Sequence, residues 1–539
     1  MRLKYHLPRL AFLVTCLCGL VLIQASAQSF AQWGSLKPGP HAVGFKVTNK
    51  YDYSRVTRPK TNYEGKPNAG EAAVPMQISV WYPAKVKSSD SPMMFEEYRY
   101  LGLKKESFGP VSEAEKVQTL NNVKMSVKFG TGKDITDAEA RAILQTKTAA
   151  VRDAEAEKGP FPLIISGLGG PGSSSVLGEY LASHGYVVVT TPSLSKTATQ
   201  QATTPQIAIE TQARNLECLL AFARDLSFAD QARVGVIGLN FDGMAGLVFQ
   251  MRNMIADAVV SLDGWEGANN GAEMLRASPY YDPLRMRVPY LLMKQDNAPN
   301  PSLQHNLSVF DAFKYADRYF HIVKDIEHFQ YVDNPLTTPM LAAEKRQGTE
   351  FVYRTVLHFL NAYVKKDQAS LTLLKAPVAE RGIPASLIKV EAQHAALRAV
   401  PIDEEFEALL GVGLNQTGAD AASIAKAIEV FRAAKRENPE VILFQEGTMN
   451  LYAFRLSRQN KAQEALALYK LNVEAYPNSI NAVNNLGNAY RDLGRKELAI
   501  ECFEKVLEMI AQDTRLNANE KAQSKNNIQQ KINQLKEPK

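Results

Sequence analysis

The spacing of apolar and polar positions divides the chain into three textures. Residues 42–49 (Ala-Val-Gly-Phe-Lys-Val-Thr-Asn) and 76–83 (Met-Gln-Ile-Ser-Val-Trp-Tyr-Pro) alternate or cluster as strands do. A polar loop carrying Pro59, Gly65, Pro67 and Gly70 separates them. Residues 94–158 are charged and helix-favouring, with Ser112-Glu113-Ala114-Glu115 and Thr136-Asp137-Ala138-Glu139 as helix starts. From residue 161 onward, short apolar runs recur at 161–166, 186–191, 233–238, 257–262, 288–293 and 319–324, with helix-like stretches between most of them. Strands buried on both faces read as such continuous runs. The pattern predicts an α/β domain over 38–365, with a mostly parallel sheet and a helical insertion at 94–158.

Pro377, Gly382 and Pro384 mark a linker within 366–403. Beyond it the chain reads as all-α and repeats. Ala427, Phe431, Ala434 and Pro439 recur in kind as Ala465, Tyr469 and Pro477, then as Ala499 and Phe503. The last unit adds Leu486, Gly487 and Tyr490. This resembles a tetratricopeptide array with a period near 34 residues, and the resemblance implies a repeat domain over 404–535 that engages a protein or peptide partner. A polar closing helix is expected at 516–535.

A length of 539 residues is more than one ordinary domain needs, in keeping with this division. The first 27 residues are set apart. Arg2, Lys4 and Arg9 precede an apolar run from Leu10 to Ile23 and then Ala25-Ser26-Ala27. That is the layout of a secretory signal peptide cut after Ala27, and the run is shorter than the ~20 residues a membrane span needs. No later segment is long and apolar enough to span. The mature chain is therefore expected to be secreted or periplasmic. Its leader takes away half of a net charge of only +6, which leaves no electrostatic argument for nucleic acid. Cys218 and Cys502 are what remain of four cysteines, far apart in the chain, so no disulfide framework is expected.

The chemistry concentrates at residues 234–243, Val-Gly-Val-Ile-Gly-Leu-Asn-Phe-Asp-Gly, where an apolar run breaks into a glycine turn before a helical stretch. That is the outline of Gly-x-Ser-x-Gly, a strained strand-to-helix turn that presents a serine nucleophile. Here Asn240 holds the serine's place and Asp242 that of the closing glycine. A carboxamide has no oxygen that a histidine could deprotonate for attack. Asp242 implies either a rebuilt turn or a carboxylate that hydrogen-bonds Asn240 or His328.

A second stretch reads Pro-Leu-Ile-Ile-Ser-Gly-Leu-Gly-Gly-Pro-Gly-Ser-Ser-Ser from residue 162, then Leu-Ala-Ser-His-Gly-Tyr-Val-Val-Val up to 189. Gly167, Gly169 and Gly172 fit Gly-x-Gly-x-x-Gly, but the next strand ends in Thr190, Thr191 and Pro192 with no acid for a ribose. No Lys-Ser/Thr pair follows the loop either. These features exclude a P-loop and argue against a dinucleotide site, and no cofactor or metal is expected.

With the turn at Asn240, this stretch resembles the α/β-hydrolase family, in particular the branch of dienelactone hydrolases and platelet-activating-factor-acetylhydrolase-like esterases. The resemblance implies an oxyanion hole made by the N–H groups of Leu168 and Phe241, with Gly169 keeping side chains clear of it. It implies a triad acid at Asp263, in Ser-Leu-Asp-Gly-Trp, with Asp296 as the rival, and a base at His328, in Asp-Ile-Glu-His-Phe-Gln. Asp263 is the preferred acid. His321 reads as a packed core histidine, His184 as a helix-end residue, and Ser173 to Ser175 as caps of the following helix. The expected function is a catalytically impaired hydrolase-like protein that binds a small ester- or lipid-like ligand. The alternative is an active ester or acyl hydrolase using another nucleophile or a water activated by His328.

Overall fold

The computed structural model describes residues 30–58, 61, 64–67, 72–192, 205–296, 305–333, 337–338, 343–381, 384–396, 402–411, 419–514 and 516–537. The leader expected at 1–27 lies outside them. The chain forms two compact units. One holds the chain as far as Tyr281 together with Pro289–Phe310 and Tyr319–Gln393; the other holds Asp282–Val288, Asp311–Arg318 and His394–Lys539.

The first unit is built on one sheet. Its strands are β1 (Ala42–Arg58), β2 (Ala72–Lys85), β3 (Ala150–Arg152), β4 (Glu155–Ala156), β5 (Phe161–Gly167), β6 (Val187–Thr190), β7 (Ala229–Leu239), β8 (Ala258–Leu262), β9 (Tyr290–Gln295), β10 (Arg318–Val323) and β11 (Ile388–His394). They lie in the order β11-β10-β9-β8-β7-β5-β6-β2-β1-β3, with β4 paired to β2. β2 runs antiparallel to both β1 and β6, whereas β6, β5, β7, β8 and β9 are parallel neighbours. The antiparallel second strand and the crossover that sets β6 between β2 and β5 give the α/β-hydrolase fold. The apolar runs are its central strands. Ile164, Val188, Ile237, Val260 and Leu291 are all buried in one cluster.

The helices of this unit are α1 (Phe95–Leu103), α2 (Glu113–Thr131), α3 (Asp137–Leu144), α4 (Pro171–Ser183), α5 (Pro205–Ala223), α6 (Phe241–Asn253), α7 (Asn269–Arg276), α8 (Ser308–Ala312), α9 (Ala343–Tyr363) and α10 (Gln368–Lys375). Ser112 and Thr136 start α2 and α3 by accepting from the N–H groups of Glu115 and Glu139, whose carboxylates reach back to the capping residues. Each such cap stabilises its helix by about 1 kcal/mol.

The insertion is helical only as far as Leu144. It ends in β3, parallel to β1, and β4, antiparallel to β2. Runs of three and two residues are too short to carry a strand period, so the sequence pattern does not reveal them. The stretch expected as a linker carries α10 and the edge strand β11.

The second unit is helical, with α11 (Ile402–Leu410), α12 (Ala421–Glu437), α13 (Glu446–Arg458), α14 (Ala462–Ala475), α15 (Ile480–Asp492), α16 (Lys496–Gln512) and α17 (Ala518–Lys536). The recurring residues are its core: Ala427, Phe431, Ala465, Tyr469, Ala499 and Phe503 are buried in one cluster. Gly487 allows α15 and α16 to approach, since a Cβ there would lie 2.7 Å from the Phe503 ring. Two excursions from the middle of the chain pack with this unit, Leu284 and Tyr315 joining the cluster and Arg287 pairing with Asp403. Among the described residues no helix is long and apolar enough to cross a membrane.

Candidate active site

Strand β7 ends at Leu239 and α6 begins at Phe241, so one residue makes the whole turn. That residue, Asn240, has φ 55° and ψ −120°. A side-chain-bearing residue rarely adopts this conformation, which costs on the order of 1–3 kcal/mol. The surroundings enforce it. Asn240 N–H donates to the Leu262 carbonyl at 3.1 Å, and the Asn240 carbonyl accepts from Gly243 N–H at 3.1 Å and Trp265 N–H at 3.3 Å. Gly238 is required two residues earlier, where a Cβ would stand 2.1 Å from the Asp242 carbonyl oxygen. The Phe241 ring stacks on Trp265 with centroids 5.5 Å apart. The turn is held, not rebuilt.

Its tip meets the late histidine. Asn240 Nδ2 lies 3.3 Å from His328 Nε2, and His328 Nδ1 lies 2.7 Å from Asp263 Oδ2. Asp263 is buried at the end of β8, with φ 44° and its own N–H bonded to the Met293 carbonyl. Lys294 Nζ stands 3.0 Å from Asp263 Oδ1, and Gln295 donates to Asp263 through both its backbone and its side-chain amide. Burial alone would raise the Asp263 pKa. The hydrogen bond from His328 and the Lys294 charge outweigh it and hold the carboxyl below its ordinary value. Asp296 is elsewhere, accepting from Lys389 Nζ at 2.7 Å.

A carboxylate accepts only, so His328 donates from Nδ1 and its Nε2 carries the lone pair. The Asn240 amide donates into that lone pair. Asn240 Oδ1 is left buried without a partner. The arrangement can orient and polarise a histidine, but the atom facing the base is an amide nitrogen.

The neighbouring residues fall in place around this contact. Leu168 is buried after β5, and Gly169 and Gly170 both take positive φ, 78° and 90°. The N–H groups of Leu168 and Phe241 have no backbone acceptor among the described residues. Asp242 bonds neither Asn240 nor His328, so with the turn held both sequence-based expectations for it fail; its side chain lies over Gly167, where a Cβ would come 2.9 Å from Asp242 Cβ. The residue is half-buried, but burial of its carboxyl pushes the pKa up to about 7. Ser174 and Ser175 do not cap α4. Their hydroxyls donate to the Gly170 carbonyl and to Asp333, and Gly170 occupies the cap position. His321 is buried beside Glu391 at 3.3 Å, and His184 ends α4 with Nε2 on the Lys37 carbonyl.

Several contributors escape a sequence reading. Lys294 interrupts an apolar run at the end of β9, and that charge in a buried strand is the available signal. Asp333 accepts from Ser175 Oγ, Val176 N–H and Tyr353 Oη, tying the His328 loop to α4; burial pushes its pKa up to about 6. Glu179 of α4 accepts from Trp33 Nε1 and Tyr98 Oη, fastening the insertion beside the same helix, and burial pushes it up to about 7. A cavity of about 550 Å³ is bounded by α1 and α2 on one side and by Gly172, Ser173, Phe329 and Val332 on the other. Among the described residues no group of three or more His, Cys, Asp or Glu could hold a metal ion.

Residues 480–511 match the model of the Tetratricopeptide repeat family. Comparison with curated proteins finds no match. Among solved structures, the chain is similar to a ferulic acid esterase from Streptomyces cinnamoneus, with 17% identity over 62% of this chain and 93% of that one and a TM-score of 0.41.

Proposed function

We propose that the protein is an exported α/β-hydrolase-like scaffold that has given up the acyl-enzyme mechanism while keeping its acid–base pair. One observation carries the reading: at the strained turn, 3.3 Å from His328 Nε2, stands the carboxamide of Asn240 in place of a hydroxyl. An amide nitrogen whose lone pair is delocalised is not a nucleophile, and here it occupies the lone pair a base would use. The cavity under the insertion takes a small ester- or lipid-like ligand, and the helical repeats engage a protein or peptide on their concave face. Export is supported by the basic, apolar and Ala-x-Ala segments of residues 1–27.

A second reading is favoured by the Asp263–His328 pair at 2.7 Å, retained with its Lys294 and Gln295 support. In that reading the protein hydrolyses esters through a water activated by His328. Assay of a short-chain p-nitrophenyl ester series separates the two. A scaffold without turnover gives the same rate for wild type and His328→Ala; a hydrolase loses its turnover in the variant.

A further inference from the structure

The cavity beneath the insertion has walls of two kinds. Met125 and Phe129 of α2 face Phe329 and Val332 from the His328 loop, and the rings of Phe129 and Phe329 meet edge to face at 6.4 Å. Both rings are largely exposed, at 78% and 58%, which is unusual for phenylalanine and marks an apolar opening beside the site. Into this same cavity reaches Arg99 of α1.

Arg99 has no carboxylate partner among the described residues. Its hydrogen bond is from Nη1 to the Gly172 carbonyl at 3.1 Å, in the first turn of α4. A guanidinium offers five donors, so most of its capacity is unspent. Burial lowers its pKa, and no opposing charge offsets that burial. Arg99 is half-buried, and a partly desolvated cation without a counter-charge is costly unless a partner supplies that charge. The fold holds it there: Tyr98, the preceding residue, is fixed by Glu179 and Trp81, and the Tyr98 carbonyl would stand 3.3 Å from a Cβ on Gly172.

We propose that this cavity selects ligands that carry a carboxylate on an apolar or aromatic body, with Arg99 forming the ion pair and Phe129 and Phe329 holding the body. The planar fork of the guanidinium suits a carboxylate in two-point contact. The proposal rests on the reading of this cavity as the ligand site of a hydrolase-like scaffold. It goes beyond that reading in naming the charge the ligand bears.

Calorimetric titration of the full chain with 3-phenylpropanoate and with the neutral 3-phenylpropanamide tests it. The two probes differ in charge and share their shape. The acid is expected to bind about tenfold tighter than the amide, with the margin shrinking as salt is raised. Arg99→Gln removes the margin and leaves the amide's affinity in place, while Arg99→Lys keeps part of it. Equal binding of acid and amide to the wild type overturns the proposal, as does an acid preference that survives Arg99→Gln or the failure of both probes to bind. The wild-type comparison stands even if Arg99→Gln fails to fold. Failure of the underlying hydrolase-like reading is seen separately, as an Asn240→Ser variant that gains no turnover.

Discussion

The side-chain amide of Asn240 points at the ring nitrogen of His328 that a catalytic base would use, 3.3 Å away, while the other ring nitrogen is held by Asp263 at 2.7 Å. Two hydrogen bonds thus fix one tautomer of the histidine and fill both its ring nitrogens. The geometry of a triad is present with its reactive oxygen exchanged for a donor. The strained backbone at Asn240 is retained as well, although a residue that does no chemistry has no need to be presented on a sharp turn.

The buried pair of Asp263 and Lys294 gives a prediction on stability. Asp263→Asn leaves the Lys294 ammonium buried without the carboxylate charge that faces it at 3.0 Å, with neutral carbonyl acceptors in its place. Removing one member of a buried ion pair costs about 3–5 kcal/mol. Urea denaturation of the variant should show a loss of that order in the α/β unit. A loss below about 1 kcal/mol means the pair is more hydrated than its burial indicates.

Asp242 should make stability fall with rising pH. Its folded pKa of about 7 lies above the ~3.9 of an unfolded aspartate, so between those values the folded chain holds a proton that the unfolded chain has lost. Stability therefore declines as pH rises through this window, and the full penalty is present above pH 7. Asp242→Ala removes it. The stabilisation by this variant, read from denaturation midpoints, should be on the order of 2 kcal/mol larger at pH 8 than at pH 5. An equal effect at both values refutes the assignment.

In the helical unit, Gly487→Val drives a side chain into the ring of Phe503. Overpacking of this kind costs about 1–3 kcal/mol. The expected result is a lowered unfolding temperature, followed by circular dichroism. An unchanged melt indicates that α15 and α16 can move apart freely.

Export predicts a mature chain that starts at Gln28. Mass spectrometry of the protein recovered from the periplasm or medium of a secreting host should find that terminus, and recovery of uncleaved chain in the cytoplasm contradicts it.

Much of this was legible from residue patterns, for identifiable reasons. The central strands are buried on both faces and so read as apolar runs, and Ser112–Glu115 and Thr136–Glu139 carry their caps in sequence. The turn at Asn240 shows itself because Gly238 is sterically required there. Contacts between distant segments are not written locally. Residue pattern alone leaves Asp263 and Asp296 as rivals and only the resemblance prefers Asp263; the fold brings Asp263 to a histidine on another loop and Asp296 to Lys389. Asp242 misled for the opposite reason. Its position next to the tip suggested a bond to Asn240 or His328, but the first turn of α6 carries its side chain over Gly167. Arg99 was silent, since one arginine on an amphipathic helix looks like solvent-facing charge until the cavity behind it is seen.

The most direct test of the account is hydrolysis of p-nitrophenyl acetate by wild type, Asn240→Ser and the double variant Asn240→Ser/His328→Ala. A serine at the tip of an otherwise intact site should raise turnover at least ~100-fold over wild type, and the second substitution should abolish the gain. If wild type itself turns over the ester and loses that activity with His328→Ala, the site is not disarmed and the central claim is wrong.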